Sequence, residues 1–212
     1  MKQRPILFST PMVQAILAGR KTMTRRIVKH EIDSRGLRAT DVPFEDFHGK
    51  EVKCPYGKIG DVLWVRETWA RAIGSEELTT SEKATAVEIS LERFIVFKAD
   101  SKEETHPEHP EWGKKLWKPS IHMPKDAARI WLRITGVRVE RLWDISEQDA
   151  KAEGVFKTNA VNEWYYMENV YNTDSPLIAF ERLWQSINGE QSWTDNPWVW
   201  VVEFERIENP NT

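Results

Sequence analysis

Apolar positions along this chain come in short runs separated by long polar stretches. The first run, Pro5-Ile6-Leu7-Phe8, predicts a strand. Ser9, Thr10 and Pro11 supply an N-cap and a proline for a first helical turn. Met12, Val13, Ile16 and Leu17 then recur at helical spacing, and Gly19 reads as the stop. Residues 30–60 read as loop, dense in Gly and Pro. A turn at Gly60-Asp61 leads into a β-branched and aromatic run over 62–69, which predicts a strand. Residues 71–91 are polar without a firm signal, 93–99 predict another strand, and 100–120 predict a charged surface loop. Alternation over 128–143 predicts long strands bent near Gly136. Ser146 is an N-cap with Asp149 at the capping-box position, opening a short helix over 147–153 that Gly154 stops. Residues 176–187 carry Leu177, Phe180, Leu183, Trp184 and Ile187 on one helical stripe, and 197–205 form a closing strand. Several strands, three short helices and long loops imply an α+β fold around a small, mostly antiparallel barrel. No linker separates two apolar cores, so residues 1–212 are read as a single domain.

Composition narrows the function classes. The chain has 212 residues, 40% hydrophobic and 30% charged, which is a globular composition. No stretch of about 18 apolar residues occurs, so no membrane partner is expected. The first residues lack the apolar run and small-residue cleavage site of a signal peptide. The single cysteine, Cys54, leaves no internal disulfide framework, so a reducing, cytoplasmic setting is expected. A net charge of -3 confines any nucleic-acid contact to a local patch. The chain has 11 tryptophans, which serve either a large aromatic core or stacking on bases.

Few patterns carry chemistry. His106 and His109, with Glu108 and Glu111 nearby, suggest a metal site, but a proline follows each histidine and forbids a regular ligand helix. His122 stands alone, and no phosphate-cradling glycine loop occurs. The segment from Gly19 to Arg26 is the best candidate. A threonine hydroxyl needs a base to become a nucleophile, and a lysine can be that base where burial or neighbouring cations lower its pKa. Arg20, Arg25 and Arg26 would supply such cations, or hold a phosphate or a carbonyl oxygen. Spacing alone favours a solvated basic loop.

The run Ile16-Leu17-Ala18-Gly19-Arg20-Lys21-Thr22-Met23-Thr24 resembles the signature of the ASCH domain family, in the PUA-like superfold. Residues 60–65 resemble that family's Gly-Asp strand entry, 145–154 its helix after the long strand, and 200–204 its final strand. The pattern is most similar to the longer ASCH proteins of phages and prophages. The resemblance implies a PUA-like pseudobarrel with insertions near 30–56, 71–128 and 155–175. Some short ASCH proteins are amidohydrolases that remove the acetyl group of N4-acetylcytidine with a lysine, a threonine and a distant glutamate. Carried over, these are Lys21 as general base, Thr24 as nucleophile and Glu153 as the group that orients the lysine or shuttles a proton. Arg20, Arg25, Arg26, Trp64 and Trp69 are the implied substrate contacts, with Trp143 as a further stacking candidate. No metal or organic cofactor is implied. The partner is a modified nucleoside or RNA. Alternatives within the resemblance are an RNA- or modified-base-binding module without chemistry, and a ribonuclease.

Overall fold

Alternating burial sorts the apolar runs onto two faces of a central sheet. The computed structural model describes residues 1–29, 44–45, 50–73, 87–90, 93–100, 117–157, 164–165 and 173–211. The strands, in chain order, are β1 (Gln3–Leu7), β2 (Met23–Ile27), β3 (Phe44–Glu45), β4 (Glu51–Val52), β5 (Val62–Arg66), β6 (Trp69–Ile73), β7 (Val87–Ser90), β8 (Arg93–Phe97), β9 (Trp131–Arg141), β10 (Phe156–Lys157), β11 (Trp164–Tyr165) and β12 (Trp198–Ile207). The helices are α1 (Thr10–Leu17), α2 (Glu147–Ala152), α3 (Pro176–Asn188) and α4 (Gln191–Thr194). The fold is α+β. Five strands form a mixed sheet in the order β1-β5-β9-β12-β2, with β1 and β5 parallel and the other pairs antiparallel. Among the described residues no pairing joins β1 to β2, so the expected closed barrel is not seen and both remain edge strands.

Strand alternation divides the core. Leu63 and Val65 of β5 and Leu132 and Ile134 of β9 face a large cluster completed by Val13 and Ile16 of α1 and by Phe180, Leu183 and Trp184 of α3. Val62, Trp64 and Trp131 belong to a second cluster with Trp69, Ile95 and Phe97. The bend near Gly136 is a bulge. Glu203 pairs with Gly136 while Phe204 pairs with Ile134, so Thr135 is the extra residue. A Cβ at Gly136 would lie 2.7 Å from Glu203 Oε2. Ser175 caps α3 by accepting from Leu177 N–H at 3.2 Å, and Pro176 opens it. Burying an α3 side chain such as Phe180 contributes about 1.5–3 kcal/mol.

Three expectations change. The run over 62–69 is not one strand: it leaves the large sheet at Arg66 and joins a three-stranded sheet, β6-β8-β7, at Trp69. The junction is held by Glu67, 1% exposed, which accepts from Arg129 Nε and Nη2 at 2.9 Å each. Burial pushes the Glu67 carboxyl up, against the pull of that guanidinium. The polar stretch 71–91 contains strand residues, because pairing with β8 rather than hydrophobic period supplies its order. Short pairs β3 and β4 lie within the expected loop 30–60. The His106 and His109 pair and most of the expected insertions lie outside the described residues.

Candidate functional site

The end of α1, the turn that follows it and the end of α2 meet. Arg20 N–H and Lys21 N–H both donate to Ala15 O, at 2.9 and 3.1 Å, and Thr22 N–H donates to Ala152 O at 2.9 Å. Gly154, with φ +105°, lets the end of α2 close on this turn. A Cβ there would stand 3.0 Å from Ala15 Cβ and 3.2 Å from Lys21 Cβ. Gly154→Ala is therefore expected to destabilise the fold by about 1–3 kcal/mol from backbone strain alone. Gly19→Ala is the control, since Gly19 also has positive φ but nothing within 4 Å of its missing Cβ. Urea unfolding of the pair checks this, with Gly154→Ala expected to cost more.

The lysine is buried and saturated. Lys21 Nζ donates to Met23 O at 2.7 Å, to Glu153 O at 2.9 Å and to Glu153 Oε2 at 2.6 Å, using all three ammonium protons. The Met23 carbonyl is free to accept because β2 is an edge. Thr22 O and Val28 N–H bond β12, as Phe204 N–H donates to the first and Trp198 O accepts from the second. Alternation then turns the Met23 backbone groups off the sheet. Lys21 is 2% and Glu153 4% exposed. Burial lowers the Lys21 pKa, Glu153 opposes the shift, and Arg26 and Arg25 add to it. Arg25 and Arg26 alternate across β2, so the ammonium sits at the open edge between the two faces.

Arg25 is not available to a substrate. Its guanidinium meets Glu140 Oε1 at 2.5 Å, Asp149 Oδ2 at 2.6 Å and Glu153 Oε1 at 3.4 Å. Arg138 extends the network to Asp149 at 2.7 Å, to Glu140 at 2.8 Å and to Glu203. The Arg25 side chain is fully buried, which corrects its expected role as a substrate contact: it holds carboxylates. Arg26 points elsewhere, donating to Leu7 O at 2.9 Å, with its guanidinium 5.3 Å from the Phe8 ring centre.

Thr24 pairs with Val202 and is wholly buried, and its hydroxyl has no hydrogen-bond partner among the described residues. Met23 and Arg25 share a face of β2, with Nη1 at 3.3 Å from Sδ, so alternation turns Thr24 to the other side. The Lys21 ammonium, on Met23 O, is one peptide group from the Thr24 Cα. An unpartnered buried hydroxyl is unusual and calls for a reason.

A cleft of about 220 Å³ opens beside this edge. Arg25, Glu153 and Tyr56 contribute polar groups, Phe180, Leu183 and Trp184 of α3 form an apolar wall, and Arg26 and Lys29 bring positive charge. Lys21 and Thr24 are not among its lining residues, so the structure joins Lys21 to Glu153 and leaves both Lys21 and Thr24 beneath the cleft surface. Trp64 and Trp69, 9% and 2% exposed, pack in the second cluster, because their alternation places them away from α3; they do not line the cleft. Trp143 is exposed and donates its indole N–H to Trp193 O. Arg20 is exposed with its guanidinium 4.6 Å from the Phe156 ring centre, outside the cleft lining.

Among the described residues no group of three His, Cys, Asp or Glu could hold a metal ion, and no helix is long and apolar enough to cross a membrane. His122 ends an exposed turn of 3-10 helix. Sequence reasoning missed Glu140, Arg138 and the α3 wall as parts of the site. Asp149 carried a signal, but only for its backbone: its N–H donates to Ser146 Oγ at 3.1 Å as a cap, while its carboxylate reaches Arg25. Comparisons with protein families, with curated proteins and with solved structures return no match for this chain.

Proposed function

We propose that this chain is an amidohydrolase of ASCH type, on a PUA-like fold, that removes an acyl group from the exocyclic nitrogen of a modified cytidine or related nucleoside. The carrying observation is the buried Lys21–Glu153 pair, whose ammonium is one peptide group from the Cα of Thr24, a residue with a buried and unpartnered hydroxyl. The sheet's curl supports the barrel-like frame, since Arg26 on one edge strand donates to Leu7 O at the end of the other.

The chemistry follows from protons. With three acceptors on Nζ, Lys21 rests as an ammonium. Passing one proton across the 2.6 Å contact to Glu153 leaves a neutral amine and a neutral acid. Burial favours that neutral pair. Thr24 Oγ1 attacks the acyl carbon as its proton moves to Lys21 Nζ. The carbon–nitrogen bond breaks, and the leaving amine takes its proton from Glu153. Water then cleaves the threonine ester, releasing the carboxylic acid and restoring the hydroxyl. Incubation with N4-acylated cytosines, cytidines and RNA, read by mass, tests this. Loss of the acyl mass is expected, and an unchanged panel removes the reading.

The sealing of Thr24, fully buried and absent from the cleft lining, favours a second reading: a module that binds a modified base or RNA without chemistry. Salt separates the two. Three carboxylates occupy Arg25, leaving Arg26 and Lys29 as the cleft's remaining arginine and lysine. A nucleoside enzyme's KM is expected to change little between roughly 50 and 200 mM salt. Single-stranded RNA held by several phosphates would weaken with a log–log slope of about -0.7 per contact. Steep salt dependence without turnover selects the binding module.

A further inference from the structure

The cleft runs along an open strand edge. Arg25, Arg26 and Ile27 all line it, although alternation sends consecutive side chains of β2 to opposite faces. Its walls come from both faces. Phe180, Leu183 and Trp184 stand on the Arg25 side, where the Arg25 guanidinium lies 5.9 Å from the Phe180 ring centre. Tyr56 stands on the Arg26 side: burial raises its pKa, and the nearby Arg26 guanidinium opposes the shift. Successive residues and both faces share one cavity where it wraps the edge of the strand. The Arg25 side chain is fully buried while the residue keeps 2% exposure, so Arg25 meets the cleft through its main chain.

The groups on that edge follow from the ladder. Val28 N–H donates to Trp198 O and Phe204 N–H to Thr22 O, both at 2.9 Å, so the even-numbered residues of β2 bond β12. The N–H and C=O groups of Arg25 and Ile27 therefore point off the sheet, and among the described residues they have no partner. Ile27 is 38% exposed. Farther along, Met23 O is taken by Lys21 Nζ, and across the gap Leu7 O is taken by Arg26. An added strand would need that whole row of groups. Two free residues and about 220 Å³ suit one planar ring instead.

We infer that the β2 edge reads a planar heterocycle through its main chain: Ile27 N–H donates to an unprotonated ring nitrogen, and the Arg25 carbonyl accepts from the adjacent exocyclic N–H. A residue of a parallel strand would use the same two groups. Their order along β2 turns the substituent on the exocyclic nitrogen toward Met23 O, where Lys21 Nζ is bound. Reading the ring as a cytosine rests on the proposed function; the edge assignment does not.

The test compares N4-methylcytosine, which keeps the exocyclic N–H and has no amide to hydrolyse, with its 3-deaza analogue, in which C–H replaces the ring nitrogen. Both are titrated calorimetrically into the full chain at a pH where both rings are uncharged. The analogue leaves Ile27 N–H unpaired, so it is expected to bind about tenfold more weakly. Ile27→Pro removes that N–H without touching the ladder, which an edge strand tolerates, and is expected to abolish the preference. Ile27→Ala keeps the N–H and should weaken both ligands alike. A wild-type ratio near one, no binding of either ring, or a preference that survives in Ile27→Pro overturns the inference. Val28→Pro deletes the bond to Trp198 O and should lower the melting temperature; an Ile27→Pro chain that loses as much also overturns the edge assignment. Hydrolysis of N4-acetylcytosine without the preference removes this inference and leaves the proposed function standing. The preference without that hydrolysis does the reverse.

Discussion

Thr24→Ala is expected to lower kcat for deacylation by on the order of 10³ or more, and Lys21→Met by a similar factor, because a nucleophile and its base fail as a unit. The double variant should be little worse than either single one. Losses that multiply in the double variant contradict a shared step. Thr24→Ser keeps the hydroxyl and is expected to retain most of the activity, whereas a merely structural Thr24 would not separate Ser from Ala in this way. Lys21→Met strips a cation from buried Glu153, so its fold must be checked by a thermal melt. The pH profile carries the sharper test. Burial sets the neutral form of Lys21 below the ordinary lysine range, and Glu153 opposes this. The mechanism needs one proton on the Lys21–Glu153 pair, so activity should fall as Lys21 loses it to solvent, and that limb should lie below the ordinary lysine value of 10.5. Glu153→Gln removes the opposing charge, so whatever activity remains should show that limb at still lower pH. A limb that stays in place separates Glu153 from the proton-transfer step.

The strands with strong apolar alternation were legible because a pleated, half-buried surface writes a period of two into the chain. Val62 to Val65 illustrates this by splitting between two core clusters, and Leu132 to Ile134 by burying Leu132 and Ile134 in one cluster while Arg133 between them is exposed. The segment after Gly19 was not legible as structure, since Arg20, Lys21, Arg25 and Arg26 read as a solvated patch. Its burial depends on Glu140, Asp149 and Glu153, which lie more than 100 residues away and match those cations only once β9 and α2 are in place. Local polarity cannot reveal a charge that is neutralised across the fold. The same gap explains Arg25, whose type suits phosphate as well as carboxylate, and whose fork is occupied by the protein's own carboxylates. Tryptophan misled in the other direction. Trp64 and Trp69 fill core volume, while Trp184, read only as one residue of an apolar stripe, is the tryptophan on the cleft.

Arg25→Met is expected to destabilise the fold by about 3–5 kcal/mol, the usual penalty for removing one partner of a buried ion pair. The Arg25 side chain is fully buried, and its three carboxylate partners are 16%, 19% and 3% exposed. Without it, Lys21 and Arg138 must serve Glu140, Asp149, Glu153 and Glu203. In a chain of this length such a loss lowers Tm by roughly 10 °C. Arg25→Lys keeps the charge but not the planar fork, so it should fall between wild type and Arg25→Met. Arg133→Ala offers the contrast, because the Arg133–Glu205 pair is about half exposed and such pairs contribute roughly 0–1 kcal/mol. Arg25→Lys then distinguishes lost charge from lost packing. Urea melts of the three proteins at neutral pH measure the difference directly. An Arg25→Lys deficit as large as that of Arg25→Met assigns the cost to the missing side-chain packing between β2 and α3 rather than to the carboxylates.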